Sequence, residues 1–167
     1  MDMIKEEQIK LGYRSETIRL YYPLESLNQL IGEQCNVEQM REKLKEFSEI
    51  EKEQLGAVVV SAKGKRFCLM IPPKGVDYIH ECVKDSEFLV EFIRTIEKHG
   101  CTLEEIVQVF RKYSNKVQVE EMENSEFNNL IYFEDGIPDS YRYCLTFEGC
   151  HVTYHRFTIF DYESFQF

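Results

Sequence analysis

Arg142, Cys144 and Thr146 on one side of Glu148-Gly149, and His151, Thr153 and His155 on the other, recur at every second position. In a β-hairpin this alternation puts thiol, hydroxyls, imidazoles and guanidinium on one face. Tyr143, Leu145, Phe147, Val152 and Tyr154 then form the other face. With Glu148-Gly149 as a two-residue turn, Phe147 pairs with Cys150, Thr146 with His151, Cys144 with Thr153 and Arg142 with His155. A four-residue loop instead sets Cys144 directly opposite His155. Two chemistries suit these side chains. Cys144 could serve as a nucleophile with His151 or His155 as its base, because the thiolate is the reactive form and a neighbouring cation stabilises it. Arg142 is the candidate for binding an anionic group, since its planar fork matches a carboxylate or phosphate. The nucleophile reading requires thiol and imidazole to converge in a solvent-accessible concavity, and no Gly-rich oxyanion loop or orienting carboxylate lies beside Cys144.

Cys144, His151 and His155 also have the identity of zinc ligands, but a fourth ligand is missing and Arg142 opposes a cation, so neither metal nor cofactor is expected. His80 lies three residues after Asp77, a spacing that permits a carboxylate–imidazole contact on a helix; a boundary histidine is the simpler role. Cys82, two residues further, falls on a different helical face. His99 sits near a helix C-terminus, where an imidazolium is stabilised by the carbonyl end. The helix pair around His99-Gly100-Cys101 has the outline of a helix-turn-helix. Its second helix opens on Glu104-Glu105, which opposes phosphate, and a plain αα-hairpin is the better reading.

The elements that would position these groups follow from periodicity. A short segment runs to Leu11, and a helix starts near Pro23 and ends at Gly32. Asn36 with Gln39 forms a capping box before the stripe Val37, Met40, Leu44 and Phe47, which continues to Gly56. Ala57–Ala62 and Arg66–Ile71 form a hairpin around Lys63-Gly64, with consecutive Val58, Val59 and Val60 predicting a strand covered on both faces. Pro72-Pro73 stops the ladder. Helices begin near Gly75, Asp85 and Thr102, the last with a Thr102/Glu105 capping box. Beyond Tyr113 the period becomes two. Strands are predicted over Val117–Val119, Leu130–Phe133, Tyr141–Phe147 and Val152–Phe160, with Asp135-Gly136 as a turn and Glu120–Glu126 as a loop. The class is α+β, a helical first half and a C-terminal antiparallel meander packed against helices, in one domain spanning residues 1–167. Leu44, Phe47, Val58, Val60, Leu69, Phe92, Ile96, Ile106, Phe110, Leu145 and Val152 are the predicted core.

The chain of 167 residues contains 20 Lys+Arg and 30 Asp+Glu, a formal net charge of -10. That charge repels a phosphate backbone unless a local basic face overrides it. The densest basic stretch, Lys63–Arg66, reads as a solvated hairpin tip, so no nucleic-acid partner is expected; an acidic surface suits a basic protein. Six cysteines without a CxxC pair point to a reduced, cytoplasmic compartment, and no signal peptide or run of 18 apolar residues points to a membrane. The leading function is a non-enzymatic binding or regulatory module. The alternative is a small enzyme or ligand-binding protein using Arg142, Cys144, His151 and His155.

Ile4–Gln8, Leu11–Arg14, Ile18–Leu24 and the closing Tyr143–Phe157 with Asp161–Glu163 resemble a family of short bacterial proteins built on a domain of unknown function. The resemblance spans nearly the whole chain and implies a bacterial cytoplasmic protein, without an activity, cofactor or catalytic residue to carry over.

Overall fold

The computed structural model describes residues 2–122 and 126–164. They form an α+β protein whose residues gather into two compact units, Met1–Lys84 and Asp85–Phe167. Each unit has its own apolar interior.

In the N-terminal unit the order is α1 (Asp2–Leu11), β1 (Ile18–Pro23), α2 (Leu24–Ile31), α3 (Val37–Ile50), α4 (Lys52–Leu55), β2 (Val59–Lys63), β3 (Arg66–Ile71) and α5 (Pro73–Cys82). The three strands make an antiparallel sheet in the order β1-β3-β2. Strand β1 is not predicted from sequence. Its residues nonetheless alternate, with Ile18, Leu20 and Tyr22 turned inward and Arg19, Tyr21 and Pro23 facing out. One sheet face packs Phe67, Leu69 and Ile71 against Leu27, Met40, Leu44, Val76 and Ile79. The capping box forms as predicted: Asn36 accepts from the Gln39 N–H, and the Gln39 side chain accepts from the Asn36 N–H. Helix α3 buries Met40, Leu44 and Ser48, however, and Phe47 lies 40% exposed. Ser48 takes the inward position because its Oγ donates to the Val58 carbonyl at 2.7 Å.

Val59 corrects a second expectation. It is 51% exposed, because its side chain lies on the sheet face opposite the one bearing Phe67, Leu69 and Ile71, which among the described residues is the face the helices pack against. Gly75 is required where α5 passes α4: a Cβ there would lie 2.7 Å from the Leu55 carbonyl oxygen and 2.8 Å from Ile71 Cγ2. No rotamer relieves a clash with backbone.

The C-terminal unit runs α6 (Glu87–Ile96), α7 (Leu103–Tyr113), β4 (Val117–Glu121), β5 (Asn129–Phe133), β6 (Arg142–Glu148), β7 (His151–Phe157) and α8 (Ile159–Ser164). The strands form the predicted meander, β4-β5-β6-β7. Part of the predicted Glu120–Glu126 loop, residues 123–125, lies outside the described residues, and β4 continues through Glu121. Helices α6 and α7 are an αα-hairpin with strongly apolar inner faces: Phe88, Leu89, Phe92, Ile93 and Ile96 on one, Ile106, Val107, Val109 and Phe110 on the other. They meet the sheet face bearing Ile131, Phe133, Tyr143 and Leu145, giving a core of interlocking rings. The last predicted strand is too long. Thr158 Oγ1 accepts from the Asp161 N–H at 3.1 Å and turns the chain into α8, a helix start written as Thr-x-x-Asp.

Candidate functional site

Hairpin β6–β7 decides which reactive residues meet. Its register pairs Glu148 with His151, Thr146 with Thr153, Cys144 with His155 and Arg142 with Phe157. The two-residue turn is therefore Gly149-Cys150, one residue later than Glu148-Gly149. The reason is conformational: Gly149 adopts φ 62, and a tight hairpin places such a residue at the first turn position. Cys150 consequently occupies the turn and is exposed, not paired with Phe147.

All the candidate side chains share one sheet face, yet only Cys144 and His155 are direct neighbours. His151 stands four residues further along β7, about 14 Å at strand spacing. Its ring lies edge-on to that of His99 at 5.9 Å, beside the Gly100 N–H to Cys150 carbonyl bond of 2.9 Å. Arg142 stacks its guanidinium 3.7 Å above the Tyr132 ring, a cation–π contact made with the face of the group and not with the in-plane N–H edge that an anion would take.

Cys144 is wholly buried, roofed by Phe127, Leu130, Met122, Tyr132, Phe157 and Tyr162. Tyr162 belongs to α8, the helix hidden from the sequence pattern. Burial pushes the Cys144 thiol up to about 11, so it is neutral near pH 7 and poor as a nucleophile. His155 remains exposed above it, with its ring against Phe127 at 5.3 Å and stacked with Phe157 at 6.0 Å. The accessible concavity that the nucleophile reading requires is not present at Cys144. Among the described residues no group of three or more His, Cys, Asp or Glu could hold a metal ion, and no helix is long and apolar enough to cross a membrane.

These placements make a measurable difference among the thiols. Cys82 and Cys150, both exposed, should react with a disulfide reagent at once, whereas Cys144 should react only on unfolding. Because its folded pKa lies above the unfolded value, Cys144 supports stability below about pH 9, and that support is lost as pH rises towards about 11. Cys144→Ala should flatten this alkaline loss, worth about 2–3 kcal/mol from the size of the shift. Rapid native labelling of Cys144, or an alkaline slope unchanged in the variant, would contradict the burial.

His80 is part of a different arrangement. Its ring stacks on Tyr13 at 4.0 Å, and the Tyr13 hydroxyl donates to Asp77 Oδ1 at 2.6 Å. The Tyr13 and Ser15 hydroxyls hold the Asp77 carboxyl below its usual range. This cluster ties the segment after α1 to α5, with Asp77 engaged by hydroxyls and His80 by the Tyr13 ring.

The outward face of the N-terminal sheet gathers residues that separate sequence segments conceal. Register places Arg19, Met70 and Val59 in one row, Tyr21, Cys68 and Ser61 in the next, and Pro23, Arg66 and Lys63 in the third. Three cations and no carboxylate share this face, against the expectation that no basic face exists. The exposed members of Arg19-Leu-Tyr21 were the available signal, once β1 is recognised as a strand.

No curated protein and no solved structure matches the chain. The family described as "Domain of unknown function, E. rectale Gene description (DUF3877)" matches residues 1–166, and with the match covering both the N-terminal unit and the C-terminal meander, the chain belongs to that family.

Proposed function

We propose that the protein acts as a non-enzymatic binding or regulatory module in the cytoplasm, with an acidic surface that engages a basic protein. The supporting observation is where the charge lies. Met1–Lys84 carries 13 Lys+Arg and 14 Asp+Glu, a net of −1, while Asp85–Phe167 carries 7 and 16, a net of −9. Nearly all the acidity belongs to one compact unit, and a concentrated field of one sign steers oppositely charged partners and speeds their association. Neither a membrane nor nucleic acid is part of this reading.

Affinity capture on the full chain, with mass spectrometry, tests it. A basic protein should be recovered near stoichiometric yield at low salt and lost at high salt, where screening shortens the reach of exposed charges. Recovery of nothing at low salt, or of a partner indifferent to salt, would count against an acidic docking surface.

A further inference from the structure

Beyond that reading, we infer that the open face of the β1-β3-β2 sheet is a docking surface for an acidic amphipathic helix of a partner protein. The opposite face is already covered by this chain's own helices, and an antiparallel sheet with a second apolar face is completed by another helical layer. Tyr21 and Val59 are 58% and 51% exposed, and Met70 and Cys68 lie between them on the central strand. This apolar centre is bounded by Arg19 at one end and by Arg66 and Lys63 at the other. All three cations are exposed and none has an ion pair among the described residues, although carboxylates outnumber cations in the chain by ten. Adjacent Lys65, by contrast, is engaged with Glu25 at 3.1 Å and does not belong to this face.

The dimensions and charges define the occupant. Three rows two residues apart span about 14 Å, and three strands span about 10 Å. A helix is about 10 Å across, and three turns cover about 16 Å. The complementary ligand therefore has an apolar stripe for Tyr21, Met70 and Val59 and a carboxylate at each end. Pairing two copies through this face would oppose cations to cations, because a two-fold contact places like surfaces together. A nucleic-acid strand would find one exposed ring and a net charge of -10 acting on its phosphates. The small contact area implies weak, salt-sensitive binding.

Amide chemical-shift mapping on the full, isotope-labelled chain distinguishes these cases. The probe is a synthetic helical peptide of about fifteen residues with a Leu stripe and Glu at both ends. It should shift amides of β1, β3 and β2. The Arg19→Glu/Arg66→Glu variant should weaken binding by about tenfold or more, with the rest of its spectrum retained. If that double reversal disturbs folding, the single neutral variants Arg19→Gln and Arg66→Gln should each weaken binding in the same direction. The proposal is overturned if the peptide leaves this face unperturbed at about millimolar concentration. Equal binding of a Lys-for-Glu peptide overturns it too, as does tighter binding of oligothymidylate to the same face.

Discussion

Replacing Phe110 by Ala is expected to cost about 3–5 kcal/mol, because the ring is fully buried and a cavity of that size collapses only partly. Its neighbours explain why relaxation is limited. Phe110 lies edge-on to Phe88 at 4.9 Å, to Tyr143 at 5.2 Å and to Phe92 at 5.8 Å, and stacks on Phe133 at 4.9 Å. Several of these rings also touch one another, so moving one to fill the void opens contacts elsewhere. Aromatic pairs add about 0.5–1.5 kcal/mol each beyond the area they bury. Phe47→Ala is the internal comparison. Both phenylalanines satisfy the helical stripe in sequence, yet Phe47 is 40% exposed, and its truncation should stay within about 0.5 kcal/mol. Urea titration of the two variants checks the contrast; comparable losses, or a Phe110→Ala cost below about 1 kcal/mol, would contradict this packing.

Those two residues show what was legible. Helix periodicity located α3, α6 and α7, and the capping boxes at Asn36 and Thr102 fixed two starts, because caps and stripes are local. Which edge of a stripe faces the core depends on tertiary contacts, and the Ser48 bond to Val58 decided against Phe47. The candidate site was legible to the same depth. Alternation correctly put Arg142, Cys144, His151 and His155 on one face, but a shift of the turn by one residue brought Cys144 opposite His155 instead of Thr153. Tyr162, one part of the roof over Cys144, came from α8, whose Thr158-Ile-Phe-Asp161 start was absorbed into an apparent strand of alternating Val152, Tyr154 and Phe160. The basic face escaped because its residues come from three strands, one of them unrecognised. Such a surface is a property of register, which single-strand patterns do not carry.

Arg156 and Asp139 carry the other large expected effect. Their side chains are only 6% and 9% exposed, with Arg156 Nη2 donating to Asp139 Oδ2 at 3.1 Å. The same carboxylate accepts the Tyr143 hydroxyl at 2.9 Å and, through Oδ1, the Tyr141 N–H at 2.8 Å; the guanidinium lies 4.0 Å over the Tyr141 ring. Removing one member of a buried ion pair exposes the desolvation cost of the other, about 3–5 kcal/mol. The two members should nonetheless differ. Arg156→Met leaves Asp139 with the Tyr141 and Tyr143 donors, whereas Asp139→Ala takes the carboxylate from the guanidinium and the acceptor from both tyrosines at once. Asp139→Ala should therefore be the more damaging single variant. Once the carboxylate is gone, deleting the charge should relieve part of the loss, so the double variant should be more stable than the sum of the singles by about 1–3 kcal/mol. A double-mutant cycle by urea unfolding measures this coupling. Additive losses, or Arg156→Met exceeding Asp139→Ala, would mean that the pair is held by solvent-screened contact and does not organise the end of the meander.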